Sequence, residues 1–117
     1  MLSKEHTNLI QKLARQCLKR DVSLVTAESC TGGLLSSLLT QEAGSSKWFD
    51  RGFVTYSNNS KIDSLEVQRE TIENFGAVSQ EVANEMSTGA LKNSKANLGI
   101  SITGIAEIGR ASCRERV

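Results

Sequence analysis

The segment Glu28-Ser29-Cys30-Thr31-Gly32-Gly33 holds a carboxylate, a hydroxyl and a thiol beside two glycines. It sits between a short β-branched apolar run and the helical pattern Leu34, Leu35, Leu38, Leu39. A strand–turn–helix of this kind aims the first N–H groups of the helix, and the positive end of its dipole, at whatever the turn holds. The glycines let backbone and ligand approach closely. Two uses are open: the turn could cradle a phosphate, or hold a nucleophile beside an oxyanion hole. A structural reading stands beside them, in which Ser29 or Thr31 only caps the helix.

A nucleophilic Ser29 needs a proton acceptor. His6 is the only histidine, at the start of the first helix and away from every expected strand end, which argues against a Ser-His-Asp triad. Lysine serves as a base when burial or nearby charge lowers its pKa. Lys61 lies just past the second expected strand, beside Tyr56, on a loop that should reach the same crevice. A lysine at a helix start is ordinarily solvated; the shared location is what singles this one out. Cys30 is a rival nucleophile, and a better one intrinsically near a helix N-terminus, but no histidine pairs with it. Glu28 could act as a general acid or base, or bind loop amides structurally. Trp48 and Phe49 read as core or interface anchors, with base stacking as the other option.

The elements that must position these residues follow from periodicity. Residues 3–20 form an amphipathic pattern through Leu9, Ile10, Leu13, Cys17 and Leu18. Val22–Ala27 reads as a buried strand, and Phe53–Tyr56 as a second. A third helix is expected from about Asn59, carrying Lys61, Ile62 and Leu65, then a helical turn over 70–75 closed by Gly76. Ser79 is a good N-cap for a helix over 80–92, and Leu98–Thr103 is a third strand. Strands separated by helices predict a three-layer α/β/α fold with a mostly parallel sheet. The ligand site should then lie among the loops after Ala27, Tyr56 and Thr103.

Composition bounds the function. A chain of 117 residues suits one domain, and 38% apolar with 23% charged residues fits neither disorder nor a membrane protein. No apolar run approaches a membrane span and the N-terminus has no secretory pattern, so the expected address is the cytoplasm. There are 14 basic and 13 acidic residues; setting aside the three arginines and two glutamates of 107–117 leaves eleven of each. A neutral body without a basic stripe gives nucleic acid no electrostatic footing. Cys17, Cys30 and Cys113, widely spaced and with a single histidine, suggest neither a disulfide framework nor a metal site.

Several stretches together resemble one family. Thr26-Ala27-Glu28-Ser29-Cys30-Thr31-Gly32-Gly33 is similar to the signature of the CinA C-terminal domain family, the nicotinamide-nucleotide amidohydrolases or NMN deamidases. Ala43-Gly44-Ser45-Ser46, Trp48-Phe49, Arg51-Gly52-Phe53-Val54-Thr55-Tyr56-Ser57-Asn58, Lys61, Gly76-Ala77-Val78-Ser79 and Ser101-Ile102-Thr103-Gly104-Ile105-Ala106 continue the match in order. Several motifs at consistent spacing are far more specific than one Gly-Gly turn. The resemblance implies hydrolysis of the carboxamide of nicotinamide mononucleotide (NMN) to the acid, with release of ammonia and no cofactor. It implies Ser29 and Lys61 as the reacting pair, assisted by Tyr56. Glu28, Cys30, Thr31, Gly32, Gly33, Thr103 and Gly104 are the expected substrate contacts. The alternative is a non-catalytic nucleotide-binding or competence- and damage-associated accessory domain.

The resemblance weakens at Glu107. The family continues with Gly-Pro, a glycine-rich loop and an arginine for the substrate phosphate, whereas this chain reads Glu-Ile-Gly-Arg-Ala-Ser-Cys-Arg-Glu-Arg-Val. Residues 1–106 are therefore expected to be an incomplete amidohydrolase domain. Residues 107–117 are expected to be a foreign tail from a truncation, frameshift or expression scar. Without a following strand the third strand should expose an unpaired edge, giving weak stability, low activity and self-association as a homo-oligomer.

Overall fold

The computed structural model describes residues 3–105 and 112–116. Helix α1 spans Lys4–Arg20, where Ser3 Oγ accepts from the His6 N–H at 3.1 Å and Asp21 closes the far end in the left-handed region. Strand β1, Leu24–Glu28, is buried along its whole length. It begins two residues later than its sequence pattern suggested, because the Val22 N–H still closes α1 on the Cys17 carbonyl. Helix α2 covers Leu34–Thr40, and one 3-10 turn, Ser45–Lys47, leads into β2, Phe49–Val54. β2 starts and ends earlier than the expected 53–56: Phe49 pairs with Leu24 already, and a register shift follows between Leu24 and Val25. Helices α3 (Asn58–Leu65), α4 (Arg69–Phe75) and α5 (Gln80–Lys92) come next, then β3, Leu98–Ile105, and β4, Ser112–Arg116.

The sheet order is β2-β1-β3-β4. β1 pairs in parallel with both β2 and β3, and β4 is antiparallel to β3. One face packs against α1 and α2 through Ile10, Ala14, Cys17, Leu24, Leu39 and Trp48. The other packs against α3 and α5 through Val25, Ala27, Leu65, Val82, Met86 and Ala90. This is the expected three-layer α/β/α arrangement, with Trp48 in the core as one of its two readings required.

One expectation is corrected. β3 does not present an unpaired edge, because β4 hydrogen-bonds along it from Ser101↔Arg116 to Ile105↔Ser112. Of the segment set apart as a foreign tail, residues 107–111 and 117 lie outside the described residues, and 112–116 are that strand. The instability and self-association inferred from an open edge lose their premise. Among the described residues, no helix is long and apolar enough to cross a membrane.

Candidate active site

Strand alternation decides what faces what at the ends of the parallel strands. On β1, Thr26 and Glu28 point to the α2 side, while Val25 and Ala27 point to α3 and α5. Ser29 follows on the α3/α5 side, its N–H extending the ladder to the Ile102 carbonyl at 2.9 Å. On β3, Ser101 and Thr103 face the same way: Ser101 Oγ donates to the Ala83 carbonyl at 2.6 Å, and Thr103 Oγ1 to the Ala77 carbonyl at 2.9 Å.

A cavity of about 430 Å³ opens at this end of the sheet, lined by Ser29, Tyr56, Lys61 and Thr103, with Gly104 and Ile105 at its β3 side. That size falls within the range of small-molecule sites. Asn58 and the loop Gly76–Val78 complete the wall. Ser57 sets up the lysine: its side chain accepts from the Ser60 N–H, so α3 starts there and delivers Lys61 one turn later. Lys61 is only 2% exposed and donates from Nζ to the Tyr56 carbonyl at 3.3 Å. Burial lowers its pKa below the ordinary 10.5, opposed by the electrostatic influence of Cys30. Tyr56 itself is 67% exposed and lines the same cavity.

The turn residues divide differently from expectation. Glu28 is fully buried on the opposite face, where it accepts from the Leu35 and Ser36 N–H groups at 2.8 and 2.9 Å and from the Thr31 and Ser36 hydroxyls, both at 2.7 Å. Burial would raise its pKa, but the bonds from Ser36, Thr31 and Leu35 outweigh it and hold the carboxyl below the ordinary 4.5. The first turn of α2 therefore already holds an anion, the chain's own carboxylate, and Thr31 is tied to it. Gly32 and Gly33 adopt positive φ of 60° and 102°, which the turn requires of glycine. Cys30 is half-buried and interacts electrostatically with Lys61. Glu28, Cys30, Thr31, Gly32 and Gly33 do not line the cavity, whereas Ser29, Tyr56, Lys61, Thr103 and Gly104 do. Sequence reasoning gave no role to Asn58 or Gly76–Val78, although both lay within matched motifs. The signal was the Ser79 N-cap, which fixes the preceding loop against β3.

Known proteins share this fold. The family model described as the CinA C-terminal domain matches residues 6–116. The chain belongs to the CinA C-terminal domain family. That match includes the strand at 112–116. A nicotinamide-nucleotide amidohydrolase, PncC, of Escherichia coli is 45% identical over 106 residues, covering 91% of this chain and 64% of the relative. A CinA-like protein of Chlorobium phaeobacteroides is 56% identical over 89 residues, 76% of this chain and 21% of the relative. The crystal structure of a competence/damage inducible protein from Agrobacterium tumefaciens superposes with a TM-score of 0.90 at 44% identity, covering 94% of this chain and 67% of that one. A CinA superfamily structure from Escherichia coli gives 0.86 at 34% identity, covering all of this chain and 74% of that one. The chain thus spans between 21% and 74% of the length of these CinA relatives.

Proposed function

We propose that this chain carries the nucleophile and base of a nicotinamide-nucleotide amidohydrolase. The reading rests on one observation: Ser29 and a buried Lys61 line the same cavity at the ends of the parallel strands. The amidohydrolase relative supports the substrate class, a small nucleotide bearing a carboxamide. In this reaction the Lys61 amine takes the Ser29 proton as Oγ bonds to the carboxamide carbon. The resulting ammonium protonates the nitrogen as the C–N bond breaks, and ammonia leaves an acyl ester on Ser29. Lys61 then removes a proton from water, which attacks the ester and releases the acid and the Ser29 hydroxyl. A depressed lysine pKa suits this cycle, because more of the amine is neutral near pH 7. Tyr56, as an assistant to this pair, and Thr103, as a substrate contact, complete the reading, since both line the same cavity. A substrate of this class fits the expected cytoplasmic address.

Ammonia release from NMN tests the proposal. Activity should vanish in Ser29→Ala and fall by about a hundredfold or more in Lys61→Ala. Undiminished turnover in Ser29→Ala would reject it. The accessory phosphate-cradle reading is disfavoured by Glu28, which occupies the α2 N–H groups that such a cradle would need.

A further inference from the structure

Among the described residues, Thr55 Oγ1 is the one buried side-chain oxygen or nitrogen with no hydrogen-bond partner. Thr55 is 2% exposed. Leaving such a hydroxyl unsatisfied is costly, so a native example calls for a reason. Its place in the sheet supplies one. Phe53 packs on the α3/α5 core, Val54 lies against Gly33 on the α2 side, and alternation returns Thr55 to the α3/α5 face. The Thr55 N–H binds the Glu28 carbonyl at 2.8 Å, which sets Thr55 opposite Ser29. Ser29 in turn stands beside Thr103. Three hydroxyl residues thus form a row across β2, β1 and β3 on the face that receives Lys61. The Lys61 amine binds the carbonyl of Tyr56, the residue next to Thr55.

Counting hydrogens gives the row a task. A neutral lysine amine has two N–H donors and a lone pair; an ammonium has three donors and none. With the lone pair directed at Ser29, the Tyr56 carbonyl serves one donor. Once Ser29 yields its proton, the new ammonium needs further acceptors in a place water hardly reaches. Thr103 has spent its hydrogen on Ala77 and can accept. Thr55 has made no commitment at all. We propose that Thr55 is a positioning residue for Lys61, its hydroxyl accepting a hydrogen bond from the ammonium that forms when Ser29 gives up its proton. The catalytic part of this rests on the amidohydrolase reading; the effect on the Lys61 charge does not. The titratable groups beside Lys61 are Cys30, after β1, and Tyr56, after β2, while α5 contributes apolar Val82 and Met86 to the adjoining core.

Thr55→Val keeps the shape and deletes the hydroxyl, and Thr55→Ser restores the hydroxyl. The Lys61 titration is followed by NMR with lysine labelled at Cε, in the full chain and both variants. The apparent pKa should fall by about half a pH unit or more in Thr55→Val and return in Thr55→Ser. With NMN, kcat should drop about tenfold in Thr55→Val, with KM nearly unchanged and the melting temperature equal or higher. An unmoved Lys61 titration in Thr55→Val overturns the proposal, as does an equal drop in Thr55→Ser. A chain that releases no ammonia while its Lys61 titration still responds to Thr55 would reject the amidohydrolase reading and leave this one standing.

Discussion

Gly52 on β2 passes against Ser36 on α2 so closely that a methyl group at position 52 would collide with the Ser36 hydroxyl and come within 2.6 Å of Thr26 Oγ1. Those two hydroxyls are hydrogen-bonded at 2.7 Å, and Ser36 also donates to Glu28. Because Ser36 has one hydrogen and gives it to the carboxylate, Thr26 must be the donor to Ser36. A directed chain of three polar side chains runs beneath the turn that presents Ser29. Gly52 leaves room for it.

Gly52→Ala should therefore destabilise the protein by about 1–3 kcal/mol. Adding Ser36→Ala should recover part of that loss, because it removes the atom the new methyl meets. Urea denaturation of the four members of the cycle checks this, with an expected coupling of about 1 kcal/mol. Strict additivity would mean that the strain lies elsewhere.

Glu28→Gln should cost about 3 kcal/mol at pH 7, since an amide cannot accept all four donors and one of its own hydrogens faces them. The wild-type carboxyl titrates below the ordinary 4.5 when folded. Its stabilisation is complete above the unfolded value and disappears as pH falls through the folded one. The gap between wild type and Glu28→Gln should therefore begin to narrow only below the ordinary 4.5, as the folded carboxyl is protonated. Midpoints of denaturation measured from pH 7 down to pH 3 would show it. A gap that did not change with pH would place the effect in packing.

Lys61→Met should abolish turnover and stabilise the fold. The folded pKa lies below the ordinary 10.5, so the unfolded chain takes up this proton more readily. The penalty is absent above the unfolded value, grows as pH falls toward the folded value, and is constant below it. Lys61→Met should thus gain about 1–3 kcal/mol at pH 7 and much less near pH 10.5. Thermal melts at the two pH values are sufficient. A variant less stable at pH 7 would show that the amine is held by favourable bonds.

Gly89→Ala should lower both stability and turnover. A methyl at position 89 would run into the Leu65 carbonyl, where α5 crosses the end of α3. Relief requires moving α3, and α3 carries Lys61. A loss of about 2–3 kcal/mol is expected, with kcat reduced more than KM is raised. Normal kcat in a destabilised variant would show that the lysine end of α3 stays in place.

The fold was legible because its signals are local. Ser79 announced the start of α5, Gly76 the end of α4, and the charge-free run before Glu28 the central strand. Lys61 could be matched with Ser29 because loops after parallel strands share one end of the sheet. Glu28 could not be assigned from sequence. Its neighbours place it in the turn that carries Ser29, but strand alternation sends its side chain through to the opposite face, and only the position of α2 shows where it ends. β2 was misjudged at both ends because its register with β1 shifts by a residue near Leu24, which no hydropathy pattern encodes. β4 was missed for a different reason: Arg114 and Arg116 are exposed on the edge, so the segment lacks the apolar alternation by which strands are recognised. Thr55 went unremarked inside a matched motif, since sequence does not tell whether a hydroxyl has a partner.

Among the parallel strands β1 (Leu24–Glu28) leaves the ribosome first, ahead of both its neighbours, β2 (Phe49–Val54) and β3 (Leu98–Ile105). Pairings so distant in sequence close slowly. Ser29 is therefore synthesised long before Thr103 arrives to flank it. On the amidohydrolase reading, a nascent chain carries a harmless serine until β3 docks beside β1.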